Sequence, residues 1–154
     1  MKLAEALQTR ADLQNKVEEL RNRLINSAKY QEGEKPLEDP AELLEELDNT
    51  CDRLSEIIYK INYTNSITNT ELGTLTKALA KKDKLSLKRS VYESLSDAAS
   101  SLNDRYSNSE IKMFPSVDVR KLRKKIDLIS KDLRTTDLTI QQANWLTDLA
   151  EIEI

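Results

Sequence analysis

Histidine is absent from the 154 residues, and that absence removes more chemistry than any residue present supplies. Without an imidazole there is no Ser-His or Cys-His nucleophile pair, no histidine-ligated zinc, and no ferritin-like di-iron site built on Glu-x-x-His pairs. Glycine is nearly as scarce: Gly33 and Gly73 are the only two, so a glycine-rich phosphate loop is excluded together with the nucleotide hydrolysis it supports. With only 2 glycines and 3 prolines the chain also lacks the turn residues that an all-β or doubly wound fold needs. Cys51 is the single cysteine, which rules out an intramolecular disulfide. Its place in an apolar run predicts a small buried hydrophobe in a reducing compartment.

Long apolar runs are missing too. None approaches the roughly twenty residues that span a bilayer. The start, Met1-Lys2-Leu3-Ala4-Glu5-Ala6-Leu7, carries charge where a signal peptide needs an apolar core. A soluble, cytoplasmic protein is therefore expected, and the glycosylation triplet Asn62-Tyr63-Thr64 has no consequence without export.

What the chain does hold is helical periodicity. Apolar residues recur alternately three and four apart in four stretches, most regularly at Val119, Leu122, Ile126, Ile129, Leu133, Thr136, Ile140 and Ala143. A first helix over about 2–28 carries Leu3, Ala6, Leu13, Val17, Leu20 and Leu24 on one stripe, with Arg10 its charged interruption. Asp39-Pro40-Ala41-Glu42 reads as a cap, a first-turn proline and a first-turn acid, and starts a second helix over 40–64 with Leu44, Leu47, Cys51, Leu54, Ile58 and Ile61 inward. A third helix over 75–102, less regular, points Leu79, Leu85, Tyr92, Leu95, Ala99 and Leu102 inward. Ser116 and Asp118 can cap a fourth over 117–147. Four helices of matched length with short connections predict one domain, 1–154, as an all-α, elongated up-down-up-down four-helix bundle with coiled-coil-like packing. The short, partly apolar segments 28–31 and 110–113 are predicted to pair as a small two-stranded ribbon at one end.

Charge is distributed unevenly. Residues 32–56 hold ten acids against Lys35 and Arg53, whereas Lys77, Lys81, Lys82, Lys84, Lys88 and Arg89, and then Arg120, Lys121, Arg123, Lys124 and Lys125, form two basic segments. The expectation is mutual neutralisation within the bundle or across an oligomer, since a pI near 5.2 and the lack of interleaved aromatics oppose nucleic acid and anionic membranes as partners. Carboxylates such as Glu42, Glu45, Glu46 and Asp48 sit where a polar helix face is expected, and no metal, cofactor or catalytic residue is assigned.

Two candidate sites remain. Asn62 and Asn65 at the exit of the second helix and Asn144 with Trp145 near the end of the fourth fall at the same end in this topology, where a small ligand can stack on the indole and bond the amides. Leu7, Ile25, Leu43, Ile57, Leu128, Leu138 and Leu146 flank the main seams and are the expected contacts with a second copy or a helical partner.

The segments Ala11-Asp12-Leu13-Gln14, Gln31-Glu32-Gly33-Glu34, Glu38-Asp39-Pro40, Ile61-Asn62-Tyr63-Thr64-Asn65, Tyr106-Ser107-Asn108-Ser109-Glu110-Ile111-Lys112, Val117-Asp118-Val119 and Gln141-Gln142-Ala143-Asn144-Trp145 resemble, in that order, the septicolysin-like family of small bacterial proteins. The resemblance implies a bacterial source and a helical fold, and it carries no functional residue. The family's name also implies a membrane-permeabilising toxin. The residues oppose that: there is no tryptophan-rich membrane tip and no amphipathic segment with the bulky apolar face of an interfacial helix. The sequence thus points to a non-enzymatic helical interaction protein.

Overall fold

The computed structural model of the protein describes residues 1–101 and 112–152. Four helices form, α1 (Leu3–Asn26), α2 (Pro40–Ile67), α3 (Leu75–Ser100) and α4 (Val119–Leu146), with a ribbon of β1 (Asn69–Thr70) and β2 (Gly73–Thr74) between α2 and α3. The all-α architecture read from the periodicity is the one observed, with helix ends within three residues of expectation. The chain divides into two compact units, Met1–Thr68 with Gln142–Ile154, and Asn69–Gln141.

In the first unit, local chemistry sets where the helices begin. The Lys2 amide donates to Glu5 Oε2 at 2.6 Å, satisfying one of the amides that the start of α1 leaves open. Asp39 accepts the Ala41 amide at 2.9 Å ahead of Pro40, so the second start is the one its sequence announces. The turn between the helices closes through the Glu34 amide on the Gln31 carbonyl at 3.0 Å, and Gly33 supplies the positive φ of 85° that turn requires. α2 then runs back against α1, bridged by Arg23 to Glu38 and Lys16 to Glu46 at 2.6 Å.

The buried row of α1 is Leu3, Ala6, Leu13 and Leu20, as its stripe predicts. That of α2 matches the predicted row at Ile61 only, with the predicted Leu47, Leu54 and Ile58 half-buried. Leu43, Thr50, Ile61 and Thr64 are buried, whereas Leu44 and Cys51 are exposed. The helix is turned by about one residue relative to the all-apolar reading. The reason is that both threonines satisfy themselves: Thr50 and Thr64 donate their hydroxyls to the carbonyls of Glu46 and Lys60, each at 2.7 Å. A hydroxyl bonded back to its own helix loses its desolvation cost, and the methyl then packs as an apolar group.

In the second unit the ribbon pairs Asn69 with Thr74 and Thr70 with Gly73, antiparallel. Its turn is held by the Thr70 hydroxyl, which donates to the Gly73 carbonyl at 2.8 Å and accepts the Leu72 amide at 3.1 Å. Gly73 has φ 96°, and a Cβ there would meet Lys77 Cδ at 2.9 Å. This is a different place from the predicted one: Ala28–Gln31 is not a strand, and Glu110 and Ile111, like Leu102, lie outside the described residues. Thr74 caps α3, and Asp118 accepts the Lys121 amide at 3.1 Å to cap α4. α3 and α4 run antiparallel, tied by Lys81 to Asp132 at 2.8 Å and by Lys82 to Asp137. Leu75, Ala78, Leu85 and Ser96 of α3 and Ile129, Thr136 and Ile140 of α4 are buried, and the fourth stripe is the one predicted. Leu95, predicted inward, is 42% exposed.

Candidate functional site

Among the described residues the acidic and basic segments do not pair with one another; each finds its counter-charges inside its own unit. In the first, Glu38 and Glu46 are held below the usual carboxylate range, Glu38 chiefly by its hydrogen bond from Arg23 and Glu46 chiefly by Lys16. Arg23 is in turn held above its ordinary value by Glu38. In the second, the lysines on the side of α3 nearer α4 are the paired ones. Each such surface pair is worth little, about 0–1 kcal/mol.

The two ends of the chain join in the first unit. Leu3 donates its amide to the Thr147 carbonyl and Leu149 donates its amide to the Met1 carbonyl, both at 2.9 Å, so residues 147–149 pair with the amino terminus as an antiparallel bridge. Lys2 reinforces it with Asp148 at 2.9 Å, and that contact lowers the Asp148 pKa. The Ala150 amide donates to Thr64 Oγ1 at 3.0 Å, fastening the tail to α2.

Beside this tail the seam of α1 and α2 stays open. One cavity of about 570 Å³ is lined by Asp12, Lys16, Glu42, Glu45 and Asn49 among others. A second, of about 320 Å³, is lined by Thr9, Ile57, Lys60, Leu149 and Glu151 among others. Leu13 and Arg53 line both. Arg53 forms no ion pair with any described residue, whereas Lys60 beside it is taken by Glu56 at 2.5 Å. The seam therefore offers a carboxylate one free guanidinium next to an apolar wall, with carboxylates farther along for an amine.

The predicted polar cluster is not assembled as such. Asn144 is 8% exposed and Asn65 half-buried, but Asn62 faces solvent and Trp145 is 65% exposed, and none of the four lines either cavity. Of the predicted contact residues, Ile25, Leu128, Leu138 and Leu146 are exposed by 65%, 68%, 70% and 68%. Leu7 and Ile57 are half-buried, and Leu43, at 3%, is a core residue rather than a contact: the one-residue rotation of α2 carries it inward in place of Leu44. Sequence reasoning passed over Leu87 and Val91, 70% and 65% exposed on α3. The signal was present, since Leu87, Val91 and Leu95 form an i, i+4, i+8 series distinct from the row Ala78 and Leu85.

These features define an all-α protein of long antiparallel helices with apolar residues left on its outer faces. The chain belongs to the family of unknown function DUF6847, whose model matches residues 10–149. It is similar to a solved structure described as a functionally unknown conserved protein from Corynebacterium diphtheriae, with 44% identity over 97% of this chain and 99% of that one and a TM-score of 0.92. No curated protein matches it. The septicolysin-like resemblance is overturned by this membership: the matched family and the similar solved structure are both of unknown function, and neither is septicolysin-like. Among the described residues no helix is long and apolar enough to cross a membrane.

Proposed function

We propose that the protein is a non-enzymatic helical interaction protein that associates with a second copy or with a helical partner. The observation that carries this reading is the set of large apolar side chains left outside on α3 and α4, Leu87, Val91, Leu128 and Leu138, each 65% exposed or more. Apolar residues scattered singly need no explanation, but Leu87 and Val91 stand one turn apart on the same side of α3, and such a row is the kind of surface that marks a contact. Light scattering and native mass spectrometry of the purified chain test it. A defined oligomer, or a stoichiometric second protein, is expected; a chain that stays monomeric at every concentration and binds no protein overturns the reading.

A second reading rests on the open α1–α2 seam. Arg53 and the apolar wall of Leu13, Ile57 and Leu149 suit a short apolar molecule with a carboxylate and an amine, such as an apolar dipeptide. Titration calorimetry with leucine-containing dipeptides is expected to give saturable heat that Arg53→Gln abolishes. Heat that is absent, or that survives the substitution, removes this reading.

A further inference from the structure

The third helix has two apolar faces. Leu75, Ala78, Leu85 and Ser96 form the buried one. Leu87, Val91 and Leu95, with the small exposed Ala80 and Ala98 in line, form another centred roughly 150° around the helix from it. Among the described residues nothing packs closely over Leu87 and Val91, which stay 70% and 65% exposed while the opposite side of the helix serves its own core. The row continues into a shallow groove of about 250 Å³ lined by Leu95, Ala98, Met113 and Phe114, of which Met113 and Phe114 are 69% and 79% exposed.

The edges of this row decide what fits it. By helical periodicity Lys77, Lys84 and Lys88 lie on the Leu95 side of the row, within roughly 60° of its centre, and Asp83, Ser90, Ser94 and Asp97 on the Leu87 side, roughly 60–120° from it, all exposed. None of these five charged residues forms an ion pair among the described residues, although Lys81 and Lys82 one step round the helix are both paired with α4. A basic edge and an acidic edge flanking one apolar row complement the same surface on another copy. In a parallel pairing about a two-fold axis along the helices, the lysine edge of each copy meets the aspartate edge of the other, with Lys84 facing Asp83. An antiparallel pairing sets lysine edge against lysine edge.

We infer that the outward row Leu87, Val91 and Leu95 of α3 is the surface on which a second copy of this chain docks, with the two α3 helices parallel. This rests on the self-associating form of the function proposed above and gives it a surface and an orientation. Mutation to charge is informative because these side chains are already exposed, and the helical signal in circular dichroism checks that the fold is kept.

The experiment compares the wild type with Val91→Glu/Leu95→Glu and with Leu37→Glu, a change at an 83% exposed leucine outside the proposed surface, by light scattering. The expected result is a dimeric wild type, a Leu37→Glu variant of the same mass, and a double variant that is monomeric or dissociates at least tenfold more readily. A double variant that remains dimeric overturns the α3 surface and leaves self-association standing. A monomeric wild type that captures no partner overturns both, and one that forms a stoichiometric complex with a different protein overturns the second copy as occupant. Orientation is read from single cysteines in a Cys51→Ser background. Leu87→Cys and Leu95→Cys each cross-link to their own kind in a parallel pair, whereas cross-linking only in the mixture of the two variants overturns the parallel arrangement.

Discussion

The hydroxyl of Thr64 donates to the Lys60 carbonyl at 2.7 Å and accepts the Ala150 amide at 3.0 Å, so one buried side chain serves its own helix and anchors the chain's last segment. Replacing it with valine keeps the shape and leaves the Ala150 amide without its acceptor. Thr64→Val is expected to lower stability by about 1–3 kcal/mol. Amide exchange at Ala150 should accelerate with it, and unchanged protection there would show that the tail does not depend on this bond.

Thr136 presents the opposite case. It is 1% exposed and its Oγ1 has no hydrogen-bond partner among the described residues, unlike Thr50 and Thr64. A buried hydroxyl without a partner costs free energy that valine at the same place does not. Thr136→Val is expected to raise stability by about 1 kcal/mol in urea unfolding, with Thr50→Val close to neutral.

Acid should weaken the first unit. Glu38, Glu46 and Asp148 each have a folded-state pKa below the ordinary value because of Arg23, Lys16 and Lys2 respectively. A depressed carboxylate contributes stability that is fully present above its unfolded pKa and is lost as pH falls through the folded one. The unfolding midpoint is therefore expected to hold steady from neutrality down to roughly pH 5 and to decline below about pH 4. The drop is modest, since the side chains of Glu38 and Glu46 stay 40% and 41% exposed, and added salt should shrink it. Arg23→Gln is expected to flatten part of that decline; an identical acid profile would detach it from these pairs.

Cys51 is exposed on α2, contrary to its predicted burial. A thiol-reactive dye is expected to label one equivalent per chain in the native protein as completely as in denaturant. Labelling that appears only after unfolding would put Cys51 back in the core.

How much of this was legible depended on how purely each helix was patterned. α4 was read correctly because its inward positions, Val119 to Ala143, are apolar apart from Thr136 and its outward ones are mostly charged. α2 was read one residue out of phase because Thr50 and Thr64 look polar in a sequence, and only their bonds to Glu46 and Lys60 make them core residues. α3 was the least legible, since apolar residues on two faces cancel in any single-face reading and drew Leu95 to the wrong side. The candidate sites were legible in part: exposure at Ile25, Leu128, Leu138 and Leu146 followed from leftover periodicity, whereas the open seam at Arg53 depends on how α1, α2 and residues 149–151 come together.

By itself the sequence determined the four helices, their starts at Asp39 and Asp118, and the exclusion of histidine and phosphate-loop chemistry, because capping, periodicity and composition act over a few residues at a time. Only the tertiary structure decided which face of α2 and α3 is buried, where the ribbon forms, and that residues 147–150 close on Met1, Leu3 and Thr64. Those outcomes rest on contacts between residues far apart in the chain, whose hydrogen bonds and desolvation have no local signature.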